Sequence, residues 1–267
     1  MVRGIRGNRL AGAAVAAAIA ASGCGSSGGT SSATRASPSP AARLTGPLTV
    51  LAAASLTEAF KDTKTTLEKA NAGLQVTYSF AGSQALVTQV VNGAPADVVA
   101  TADETTMSRL VTAALVEAPT VFAHNRLEIA VAPGNPRGIR GLADLAAPSL
   151  TVVLADPSVP AGRFAQQALQ KAAVTVTPRS LELDVKSVLQ KVAIGEADAG
   201  VVYVTDVTAA GATVAGVPIP DAQNVIATYP IAVVKATTHH AAAAAFVTEV
   251  VSGSGQQALR KHGFLGP

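Results

Sequence analysis

From Pro47 onward, short apolar runs of strand length alternate with longer stretches of helical period, and nothing else in the chain restricts its fold so strongly. Strands are expected over residues 48–53, 74–80, 97–101, 127–132, 151–155, 199–204 and 229–234. Helices are expected over residues 55–71, 83–92, 103–115, 160–173, 184–195 and most of 239–262. Parallel neighbours need a long crossover, and a helix supplies one. The expected class is therefore α/β, with mainly parallel sheets flanked by helices and ligands received at the carboxyl ends of the strands.

Small residues followed by a helix start recur at these junctions. Ser55 begins Ser-Leu-Thr-Glu, and Glu58 three residues on fits a capping box, so Ser55 is either a helix cap, a ligand donor, or both. Gly82, before Ser83, either lets backbone approach a ligand or serves as a turn ahead of a cap. Pro160 suits a first helical position and leaves the N–H groups of Ala161 and Gly162 free. Asp184 is expected to cap the helix opening at Val185, whose N–H stays available. Tyr203, closing a strand, is either a phenol donor or a core aromatic. First-turn N–H groups have no partner and carry the positive helix end, so several converging on one point make an anion site of neutral donors. Arg163 is read as part of a solvated helix face rather than as the cation of that site.

The first 23 residues read as a targeting segment: Arg3, Arg6 and Arg9, then an apolar stretch over residues 10–21, too short for a membrane span. Ala21-Ser22-Gly23-Cys24 resembles a bacterial lipobox, with Cys24, the sole cysteine, as the lipidated residue. Residues 24–46 are rich in Ser, Gly, Thr, Ala and Pro and read as a tether spanning on the order of 25 Å. The whole chain has 20 basic and 17 acidic side chains, and its excess is carried by the three arginines of the targeting segment. Nucleic acid is therefore not an expected partner. With 3% aromatics and no Trp, a stacking site for sugars or single strands is equally unexpected. His239 and His240 lack a third ligand at useful spacing, and His124 and His262 stand alone, so neither a free metal cation nor a cofactor is expected. The segment around Ser83 lacks the Gly-x-Ser-x-Gly of a nucleophile elbow, and no recognisable pair of catalytic carboxylates suggests an enzyme.

Together these segments resemble the substrate-binding component of bacterial molybdate ABC importers. The resemblance lies in Ala52-Ala53-Ala54-Ser55-Leu56-Thr57; in Phe80 to Ser83 through Gly93-Ala94-Pro95-Ala96-Asp97; and in Asp156 through Gly162. It continues in Gly200-Val201-Val202-Tyr203, in Tyr229-Pro230-Ile231-Ala232-Val233-Val234 and in the tail at Gly263-Phe264, in order from Pro47 onward. It implies a two-lobed type II periplasmic binding-protein fold with crossovers near Arg126-Leu127 and Tyr229-Pro230. Lobe one is then residues 47–126 plus 231–267, and lobe two residues 127–230. Carried over residue by residue, the oxyanion ligands fall on Ser55, Ser83 and Tyr203 through hydroxyls and on Ala161 and Val185 through backbone. Gly82 stands where many relatives carry a small hydroxyl residue. The implied protein is a monomeric, lipid-anchored receptor on the extracytoplasmic face of the membrane, serving a permease and its ATPase. Its implied ligand is molybdate or tungstate, with sulfate or another oxyanion as the alternative; an exported enzyme and an adhesive lipoprotein are the readings from other classes.

Overall fold

A computed structural model describes residues 44–267; the targeting segment, Cys24 and nearly all of the tether lie outside the described residues. The tether's expected end does not hold. Leu44 is buried and its N–H donates to Asn71 Oδ1 at 3.2 Å. Gly46 opens the first strand at φ +91°, a conformation that side chains disfavour, and donates to Gly73 O at 2.9 Å.

β1 (Gly46–Ala53) passes through a 3₁₀ turn (Ala54–Leu56) into α1 (Thr57–Ala70), which buries Ala59, Phe60, Thr63 and Leu67 along one helical face. β2 (Leu74–Ala81), α2 (Ser83–Val91), β3 (Val98–Ala100) and α3 (Glu104–Thr112) follow. Then come the long β4 (Thr120–Val131), β5 (Val152–Ala155), α4 (Pro160–Lys171), β6 (Ser180–Glu182) and α5 (Val185–Ala193). β7 (Ala199–Tyr203), α6 (Val204–Ala210), β8 (Ala215–Pro218), β9 (Ile226–Val233), α7 (His240–Ser252) and α8 (Ser254–Lys261) complete the order.

Hydrogen-bonded neighbours run β2-β1-β3-β9-β4-β7-β5-β6, with β8 also on β4. β1 lies parallel between β2 and β3, and β5 lies parallel between β6 and β7. The antiparallel strands β4 and β9 join these two halves. β4 belongs to both: residues Thr120 to Arg126 pair with β9, and Leu127 to Val131 pair with β7 and β8. The chain re-enters the first half at Asn224, whose amide accepts from Leu127 N (3.0 Å) and donates to Leu127 O (2.9 Å). β9 pairs with β4 from Ile226 onward, so Tyr229 and Pro230 sit inside the first lobe's sheet rather than at the crossover expected there.

β4 starts seven residues before its expected beginning, because His124-Asn125-Arg126 reads as polar loop in sequence. Asn125 is in fact buried and donates to Thr205 Oγ1 at 2.8 Å. β6, β8 and α6 were not expected, and the C-terminal helix is split at Gly253. The scarce aromatics are concentrated rather than scattered. Phe60, Phe122 and Tyr229 follow one another at centroid separations of 6.0 and 6.3 Å, and Tyr229 leads to Tyr203 at 6.0 Å.

Candidate anion-binding site

Ser55, Gly82, Ser83, Ala161, Val185 and Tyr203, drawn from both lobes, line one pocket with small apolar residues between them. The pocket measures about 210 Å³, so its walls stand close around a single small occupant. A roomier groove, of about 1320 Å³, opens elsewhere in the first lobe between Asp97 and His239. There Asp97 already accepts from Thr49 N (2.7 Å), Thr237 Oγ1 and His239 Nδ1 (3.1 Å), and its carboxylate disfavours a dianion. Donor chemistry, not volume, selects the smaller pocket.

Each donor is placed by local backbone. Ser55 lies in the 3₁₀ turn, one residue before Leu56, the N-cap of α1, so its hydroxyl is out of position for the expected capping box. Its Oγ instead sits 2.9 Å from Tyr229 Oη, and Glu58 turns away to Lys186 Nζ at 2.9 Å. Ser83 is the first residue of α2, and its Oγ accepts from Ala102 N at 3.0 Å, which leaves its proton for the pocket. Gly82 is the N-cap. A Cβ there would stand 2.3 Å from Leu183 O of the other lobe, so the missing side chain admits the second lobe's backbone.

In the second lobe, α4 starts at Pro160 with no side-chain cap, as the sequence suggests, and its first intrahelical bond is Arg163 N to Val159 O (3.0 Å). The amides of Ala161 and Gly162 therefore have no intrahelical acceptor. A Cβ on Gly162 would fall 2.1 Å from Asp156 O, so glycine is what lets this helix end approach the end of β5. Asp184 caps α5 through Ser187 N (2.9 Å) and Ser187 Oγ (2.9 Å), leaving the Val185 N–H uncapped. Tyr203 closes β7, is fully buried, and its hydroxyl has no hydrogen-bond partner among the described residues. Burial, reinforced by Tyr229, Asp206 and Asp103 nearby, pushes its pKa well up, so it remains a proton donor.

The charges around the pocket are paired. Arg163 does not lie on a solvated face. It donates to Ser158 O (2.8 Å) within its own lobe and crosses to Asp103 Oδ2 and Thr106 Oγ1 (3.0 Å) at the start of α3. Lys186, next to Val185, meets Glu58 of the first lobe and the fully buried Asp206 at 3.3 Å. Burial lowers the Lys186 pKa, but Asp206 and Glu58 outweigh it and hold the ammonium charged. Burial raises the Asp206 carboxyl despite Lys186 and the Tyr203 N–H that it accepts at 3.1 Å. Sequence reasoning missed Tyr229, Asp103, Lys186 and Asp206. A tyrosine within an apolar strand was the one available signal, in a chain with three tyrosines.

Residues 48–265 match the family described as bacterial extracellular solute-binding protein. The molybdate-binding protein ModA of Mycobacterium tuberculosis is 41% identical over 238 residues, covering 86% of this chain and 91% of that protein. Among solved structures, the periplasmic molybdate-binding protein of Azotobacter vinelandii aligns with TM-score 0.71 at 20% identity, covering 82% of this chain and 99% of that one. The sulfate-binding protein SubI of M. tuberculosis aligns with TM-score 0.73 at 23% identity, covering 82% and 86%. At these identities the two structures speak to the fold alone, and the fold is that of type II periplasmic binding proteins.

Proposed function

The chain belongs to the bacterial extracellular solute-binding protein family, and from that premise we propose that it captures molybdate, and tungstate with it, for an ABC importer. The observation that carries this reading is one small pocket in which hydroxyls of Ser55, Ser83 and Tyr203 meet the first-turn backbone of α4 at Ala161 and of α5 at Val185, with no charged side chain among the lining residues. Molybdate and tungstate are fully deprotonated dianions near neutral pH and need donors alone. Phosphate keeps a proton and would leave it unpaired in such a site. Each hydrogen bond to a charged group contributes about 1.5–3 kcal/mol, so several exceed the roughly 8 kcal/mol of a micromolar complex after ordering costs.

The protein is then a receptor and not an enzyme: it closes on the anion by a hinge at the crossovers and delivers it to a permease with its ATPase. We place it outside the cytoplasmic membrane as a monomer, anchored through a lipid on Cys24. No helix among the described residues is long and apolar enough to cross a membrane. Cys24→Ala should release the protein from the membrane fraction, and recovery of the variant with that fraction rules the anchor out.

Calorimetry of the soluble domain against molybdate, tungstate, sulfate and phosphate tests the function. Molybdate and tungstate are expected to bind tightly and phosphate not to bind. The second reading, a sulfate receptor, draws on the equally close fold match to a sulfate-binding protein. Sulfate is also a bare dianion, so pocket size must discriminate, and sulfate binding as tight as molybdate would favour that reading.

A further inference from the structure

We infer that Tyr229 is a positioning residue for the bound oxyanion: its hydroxyl donates to Ser55 Oγ and so commits the Ser55 proton to the pocket. This rests on the oxyanion reading above.

The two hydroxyls lie 2.9 Å apart, 174 residues apart in sequence and both buried, and either could be the donor of that bond. The choice has consequences. A serine hydroxyl has one proton and two lone pairs. If Ser55 spends its proton on Tyr229, it turns lone pairs toward the pocket and repels a dianion. If Tyr229 donates, the Ser55 proton is left for the anion. A donor-only site requires the second arrangement.

The surroundings impose it. The Tyr229 ring cannot swing away. It meets Phe122 edge-on at 6.3 Å and 82°, Phe264 at 5.4 Å and 87°, and Tyr203 at 6.0 Å and 65°. Its backbone is fixed in β9, opposite Ala123 of β4 and ahead of Pro230. Burial keeps the phenol protonated, and Ser55 Oγ is its one hydrogen-bond partner among the described residues. A buried phenol proton is therefore directed at Ser55. The donors run from Tyr229 to Ser55 to the anion, and each bond polarises the next.

The test is a double-mutant cycle on molybdate binding, read by calorimetry with melting curves as a folding control. Tyr229→Phe keeps the ring contacts and removes the proton. It should weaken molybdate about tenfold, the size of one lost hydrogen bond. In a Ser55→Ala background the same change should cost nothing, because Tyr229 acts through Ser55. An unchanged affinity in Tyr229→Phe, or an equal loss in both backgrounds, overturns the inference and leaves a packing residue. Failure of the wild type to bind any of the four oxyanions overturns the site reading instead. If Tyr229→Phe does not fold, the wild type supplies the readout. The buried Tyr229 hydroxyl proton should shift downfield in the NMR spectrum on adding molybdate while that of Tyr78 stays put, and no shift counts against the inference.

Discussion

The two lobes bring different chemistry to one pocket. The first supplies serine hydroxyls, each already tied into its own lobe: Ser55 to Tyr229 and Ser83 to the Ala102 amide. The second supplies backbone at the starts of α4 and α5, plus a Tyr203 hydroxyl with no partner at all among the described residues. In the first lobe, removing a donor also breaks a structural bond. In the second, the donors are either beyond the reach of side-chain substitution or structurally idle. Binding and stability should therefore be coupled on one side of the cleft and separable on the other.

Val185→Pro is the most severe way to break that contrast. Proline deletes the N–H yet fits a first helical position, and Asp184 before it is already extended (φ −157°, ψ 165°), as a residue preceding proline prefers. Molybdate affinity should fall roughly ten- to a hundredfold with helix content retained, measured by calorimetry and circular dichroism. A wild-type affinity would remove the α5 end from the site. Ser83→Ala comes next: about tenfold weaker binding together with about 1–2 kcal/mol of stability, because the buried Ala102 amide loses its acceptor. Tyr203→Phe should cost about as much affinity while the melting temperature stays level or rises, since an unpaired buried hydroxyl is removed. If Tyr203→Phe melts lower and Ser83→Ala does not, the contrast between the lobes is reversed.

Lys186→Met should affect binding least and sharpens the role of paired charge. It strips the counter-ion from buried Asp206, whose folded-state pKa is raised by burial. An acid with a folded pKa above its unfolded value disfavours folding as pH rises from the unfolded value toward the folded one, and the loss is complete above it. The variant should therefore melt well below wild type at pH 7, by about 2 kcal/mol, with the gap closing toward pH 4. A gap that stays constant down to pH 4 would show that Asp206 remains ionised instead.

What sequence made legible follows the range of the physics involved. Helix starts are local events, and Gly82 before Ser83, Pro160, and Asp184 before Val185 all mark real ones. Alternation of strand and helix was equally readable, because period and turn chemistry operate within a dozen residues. The first half of β4 was hidden, since Asn125 and Arg126 look like loop until Thr205 and Asp221 are placed opposite them. Arg163 looked solvated because its partner Asp103 is 60 residues away, and Ser55 looked like a cap because Tyr229 is 174 residues away. Such pairings exist only after the sheet has joined the two lobes.

The paired charges also bear on how fast the anion arrives. Arg163 and Lys186, the cations beside the pocket, are matched by Asp103, Glu58 and Asp206, so the cleft mouth presents no positive field to draw in a dianion. Capture should then proceed at an unsteered rate that changes little with ionic strength, and selectivity among oxyanions will reside in how long each stays.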